Sequence, residues 1–183
     1  MNLTALDILL ILLFIIVCFW AVIRGLLRQL MSLAVFYLAT VVAGLFYPYA
    51  ALFVTAIGGK TPTFTQVVMF WVLFLIVTIV LEVLLRRGFP DVRLPKLGLL
   101  DNVLALLPGI LCAFIVVSLV LTSMGYATVR TWGHGLAYLR AATAYGYERA
   151  ALRPLMAQFF SLYLAAHRLW FPVPPPLLAY LSP

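Results

Sequence analysis

The sequence predicts an all-α integral membrane bundle of four transmembrane helices with a C-terminal interfacial helical tail. Three observations lead there. Of 183 residues, 66% are hydrophobic and only 9% are charged, whereas soluble domains run at about 45–50% and about 25%. Mean hydropathy is +1.17, which implies more apolar surface than a soluble fold of this length hides. Four apolar runs also approach the about 20 helical residues that a ~30 Å hydrocarbon core requires. These features exclude a soluble enzyme, a disordered tail and a nucleic-acid-binding domain. The length allows one compact unit.

The first run covers Leu6 to Ile23 and stops at Arg24 and Arg28. It lacks a basic n-region, and Cys18 follows Val17 rather than a small residue, so it reads as a permanent helix rather than a signal or lipoprotein leader. The second run, Leu30 to Phe46, follows a very short turn and ends at Tyr47-Pro48-Tyr49, which predicts an antiparallel hairpin. Ala50 to Gln66, holding Gly58-Gly59-Lys60 and Pro62, reads as loop. The third run is Val67 to Leu85, closed by Arg86-Arg87-Gly88, and the fourth is Asn102 to Met124, released by Gly125. Residues 1–125 therefore form the four-span domain, and residues 126–183 form the tail. Within the tail, Pro154 to Ala166 is too short to span, which suggests a helix lying in the interface until Pro172 to Pro176 breaks it. The alternative is a re-entrant hairpin packed against the bundle.

The formal net charge of +7 sits almost entirely on arginine. In a membrane chain such residues set orientation and meet lipid phosphates. Arg24 and Arg28 mark the first connection; Arg86, Arg87, Arg93 and Lys96 mark the third; the second carries only Lys60. This places the first and third connections in the cytoplasm and both termini outside. Arg130, Arg140, Arg149, Arg153 and Arg168 in the tail run against that count.

Few residues offer chemistry. Asp7 and Asp101 open the first and fourth spans, where an acid caps a helix more often than it lines an ion path. Asp101 has the further option of pairing with Arg24 or Arg28. Glu82 is the one acid well inside a span; the simplest reading pairs it with Arg86 four residues on, and the functional one makes it a proton or cation site. Ala105, Gly109 and Ala113 form a small-residue face on the fourth span, and Ala39 and Ala43 form another on the second. Such faces pack helices closely, inside the bundle or between protomers. Gly59-Lys60-Thr61 lacks the earlier glycine of a phosphate loop. His134 and His167 have no metal-ligand companions, leaving only a weak case for a haem or pigment. The serines lack His and acid partners, so no catalytic residue, metal or cofactor is expected.

Two stretches carry a family resemblance. Leu6-Asp7-Ile8, an apolar span and then Arg24-Gly25-Leu26-Leu27-Arg28-Gln29 through Ser32-Leu33 resemble the opening of the colicin V production (CvpA-like) family. Leu97-Gly98, Asp101, Val103-Leu104, Ala105 and Gly109-Ile110-Leu111 resemble its glycine-spaced fourth span. Gln29 stands where that family usually has an acid, and Ala105 and Ala113 stand where it usually has glycine. The resemblance covers residues 5 to 124. It implies a non-enzymatic protein of the bacterial inner membrane, linked to colicin V production and export, toxin biosynthesis and envelope homeostasis. Some relatives carry an exported protease domain after the fourth span. Lipid, other membrane subunits or a second copy are the expected partners, with Arg24, Gly25, Arg28, Arg86 and Arg87 at the lipid or partner contact. A transporter or channel subunit using Glu82, and an accessory subunit of a bioenergetic or photosynthetic complex, are the alternatives.

Overall fold

The computed structural model describes residues 4–58, 63–89, 99–130, 132 and 136–181. Its elements are α1 (Ala5–Arg24), α2 (Leu26–Gly58), α3 (Thr63–Gly88), α4 (Leu99–Leu104), α5 (Leu106–Ala127), α6 (Ala137–Arg149), α7 (Arg153–Ala166) and α8 (Pro176–Ala179). No strand occurs among the described residues. Four helical stretches are long and apolar enough to cross a membrane: Ala5–Arg24, Leu26–Ala56, Thr63–Gly88 and Asp101–Ala127. The all-helical, four-span expectation holds.

Two boundaries differ from the sequence reading. The second helix does not stop at Tyr47-Pro48-Tyr49 but continues to Gly58, and α3 already begins at Thr63, so most of the expected loop is helix. Lys60 and Pro62 lie outside the described residues. Pro48 removes only the N–H that would reach the carbonyl of Gly44, a loss that packed neighbours make tolerable in a membrane helix. Those neighbours are present: a Cβ on Gly44 would stand 2.9 Å from Phe171 Cζ and 3.2 Å from Leu178. Past the proline, Ala50 to Ala56 is an apolar, helix-compatible run.

The fourth span is interrupted at Ala105, between α4 and α5. Pro108 has no N–H to donate to Leu104, while bonds on either side of it are intact, Ala105 N–H on Asp101 O and Gly109 N–H on Ala105 O, both at 3.0 Å. Beyond this break α5 is the axis of the molecule. It packs on α1, α2, α3, α6, α7 and α8, and Cys112, Ile115, Val117, Leu119 and Leu121 along it are buried. Trp71 Nε1 donates to Ser123 Oγ at 3.0 Å and Tyr126 donates to Gln66 Oε1 at 2.5 Å, fixing α3 against it.

The tail joins this core. Helix α7 starts beside Asp7, at the N-terminal end of α1, where Ala151 and Leu152 donate to the carboxylate. It then descends along the bundle. Met156 receives a hydrogen bond from Ser118 at 3.7 Å, Phe159 packs on Phe114, and Tyr163 donates to Thr40 at 2.8 Å. After the turn at His167 to Trp170 the chain climbs back: Phe171 meets Gly44, Leu177 donates to Tyr47, and Tyr180 reaches Gly125. These contacts pack the tail against the bundle as a hairpin. Phe160, Leu177 and Leu178 have no exposed surface, whereas Leu162, Leu169 and Val173 are largely exposed, so burial against protein accounts for one side of the tail only.

Candidate functional site: a polar groove between the first and third spans

Near the turn between α1 and α2, the C-terminal ends of α1 and α3 stand on either side of the first turns of α2. A groove of about 460 Å³ opens there. Ile16, Val17 and Trp20 of α1, Phe36 of α2, and Ile79 and Val83 of α3 form its apolar length. Arg24, Gln29, Ser32, Thr78, Glu82 and Arg86 form its polar end.

Glu82 is placed here by the helical period of α3, one turn beyond Thr78 and one before Arg86. It does not pair with Arg86, as the sequence reading expected. Its Oε1 instead accepts from Arg24 Nη1 at 2.9 Å and from Ser32 Oγ at 2.5 Å. The physical reason is burial. Arg24 and Glu82 are only 18% and 15% exposed, and leaving such a charge unpaired costs more than leaving the exposed Arg86 to headgroups or water. Arg24 also bonds Ser32 at 2.9 Å and lies over the Trp20 ring at 5.5 Å. One carboxylate thus ties three spans together. Gln29 Oε1 and Thr78 Oγ1 are buried in the same walls without a hydrogen-bond partner among the described residues.

Asp101 lies just behind this end of the bundle. Among the described residues it pairs with neither Arg24 nor Arg28. Its Oδ1 accepts from the Leu26 N–H at 3.2 Å, so it caps α2. The one-residue turn at Gly25 leaves the first amides of α2 bare, and α4 brings the acid to them. Gly25 has φ +82°, ψ 164°, a region essentially reserved for glycine, and a Cβ there would meet Asp101 Oδ2 at 2.5 Å. Gly25 is therefore buried inside a joint rather than presented to lipid.

Asp7 lies at the opposite end and does cap α1. Thr4 N–H and Oγ1 donate to its Oδ2 at 2.9 and 2.8 Å, while Thr4 Oγ1 accepts from the Asp7 N–H at 3.2 Å. The Ala151 and Leu152 amides at 3.2 and 3.1 Å add a second role, holding the start of α7. Nothing in the sequence linked residue 7 to residue 151; only the Thr4-x-x-Asp7 pattern was readable.

The small-residue faces are filled within the chain. Ala105 and Ala113 are fully buried, and a Cβ on Gly109 would come within 2.3 Å of Ala21 Cβ, so this face receives α1. Ala39 and Ala43 are equally buried, on the helix that takes the returning tail. His167 has no exposed surface. Its Nδ1 lies 2.8 Å from the Tyr163 carbonyl, and its ring sits among Tyr37, Tyr163 and Phe171. His134 lies outside the described residues.

The turn, the acid at each end of the bundle and the tightly packed fourth span coincide with the stretches that carried the resemblance. The model of the family described as colicin V production protein matches residues 6–153. The chain belongs to the colicin V production protein family. That match runs past the fourth span through α6 to the start of α7, so the family pattern includes the Ala151–Leu152 turn that Asp7 holds. No curated protein and no solved structure matches the chain.

Proposed function

We propose that this family member is a non-enzymatic, multi-pass protein of the bacterial inner membrane with a scaffold or accessory role in export or envelope homeostasis, both termini facing outside. One observation carries the reading: Asp7, Glu82 and Asp101 each serve as a joint between helices separated in sequence. Acids committed to holding a bundle together suit a scaffold better than a reaction centre. The faces left for a partner are the outer sides of α1 and α3, where Leu12, Phe19, Ile76 and Ile79 are more than half exposed. Extraction into native-lipid particles, followed by identification of co-purifying proteins, tests it. A membrane protein of the export or envelope machinery in fixed ratio is expected. A chain that purifies alone and drives solute flux in liposomes overturns it.

A small transporter or channel subunit is the second reading, and the polar groove around Glu82 favours it. Flux that survives Glu82→Gln unchanged removes Glu82 from any such mechanism. A role beside pigment or haem has no comparable support, since His167 is enclosed by rings of its own chain.

A further inference from the structure

We infer that the groove between α1 and α3 holds one anionic phospholipid, its phosphate among Arg24, Arg28 and Arg86 and one acyl chain along Val17, Ile79 and Val83. Charge complementarity points to this occupant. Arg24 and Arg86 line the polar end, Arg28 lines the small pocket beside it that shares Ser32, Glu82 and Arg86, and the one carboxylate among them, Glu82, is already committed to Arg24 and Ser32. Arg28 and Arg86 form no ion pair or hydrogen bond with any described residue. Arginines at the end of a span engage phosphate by charge and by paired N–H donors. Among the described residues Arg24 spends only Nη1 on its partners, leaving its other donors for an anion.

The rest of the groove decides between a lipid and a free anion. Away from the arginines its walls are aliphatic and aromatic, continuous with the outer faces of α1 and α3. Inorganic phosphate would leave that length empty, whereas an acyl chain fills it. The volume, about 460 Å³, lies within the roughly 300–1,000 Å³ of ordinary ligand sites. Gln29, only 4% exposed, lines the polar end, and its Oε1 has no hydrogen-bond partner among the described residues. It favours a headgroup that brings hydroxyl donors beside its phosphate, as phosphatidylglycerol does.

The test is native mass spectrometry of the full chain in mild detergent, titrated separately with phosphatidylglycerol, phosphatidylcholine of the same acyl chains, and inorganic phosphate. One phosphatidylglycerol per chain is expected, held more tightly than phosphatidylcholine, with no retention of inorganic phosphate. Arg86→Gln should weaken phosphatidylglycerol about fivefold, the effect of one basic residue near anionic headgroups. Val83→Trp should block both lipids by filling the groove. Both positions are exposed on α3, so the fold does not depend on them. Arg87, outside the groove lining, serves as control, and Arg87→Gln should leave binding unchanged. Equal binding of the two lipids, or full retention by Arg86→Gln or Val83→Trp, overturns the assignment. So does an Arg87→Gln loss equal to that of Arg86→Gln, which would mean a diffuse charge effect.

Discussion

Gly25 and Asp101 show how little room the turn between α1 and α2 leaves for variation. A side chain at residue 25 faces both a backbone conformation that costs of order 1–3 kcal/mol and a carboxylate 2.5 Å from its Cβ. Gly25→Ala should therefore lower the thermal unfolding midpoint in detergent by several degrees. Asp101→Asn, which keeps an oxygen to accept from Leu26, should cost less than Asp101→Leu; equal losses would mean that the Leu26 bond contributes nothing. At Asp7 the carboxylate gathers four donors from two helix starts. Asp7→Ala should expose the α6–α7 junction to protease, detected as new cleavage near residue 151. Its role as a cap on α1 was legible because Thr4 and Asp7 stand only three positions apart. Its hold on α7, like the Glu82–Arg24 pair, was not, because both partners come from distant segments.

At the scale of elements, the close approach of α1 and α5 rests on Gly109. A leucine there would collide with Ala21 across a contact that leaves no space even for a methyl group. Gly109→Leu is expected to reduce the yield of monodisperse protein and the unfolding temperature, as overpacking of a filled interface does. Its oligomeric state should not change. A stable variant that merely loses a dimer would instead place this face between protomers. The small-residue pattern announced close packing but carried no label for the partner helix. Helix α2 gives the converse case. Pro48 is a strong local stop signal, yet the returning tail packs on Gly44 and Tyr47, and the helix runs through.

Over the whole molecule, α7 and the segment after it make the tail part of the bundle. In a background lacking Cys18 and Cys112, the pair Ser118→Cys and Met156→Cys should cross-link on mild oxidation, because the native side chains touch at 3.7 Å. A tail lying apart in the interface would leave the thiols free. The same topology returns the chain to the end from which it started, with Tyr180 beside Gly125 and Ala151 beside Asp7. An alkaline-phosphatase fusion after residue 183 should be active and a cytoplasmic reporter silent. The opposite pattern inverts the proposed orientation.

Composition and hydrophobic run length by themselves determined a helical, four-span membrane protein, because hydrocarbon demands about 20 apolar residues per crossing whatever surrounds them. Local patterns added the α1 cap, the hairpin turn and the close-packing faces, since each depends on residues within a few positions of one another. Tertiary structure alone decided which helix fills each face, which arginine neutralises Glu82, and that Asp101 caps α2. It also decided that the tail folds back into the core. Those outcomes depend on packing and burial among segments far apart in the chain, and an unpaired charge or a bare amide is satisfied by whichever group the fold brings within reach.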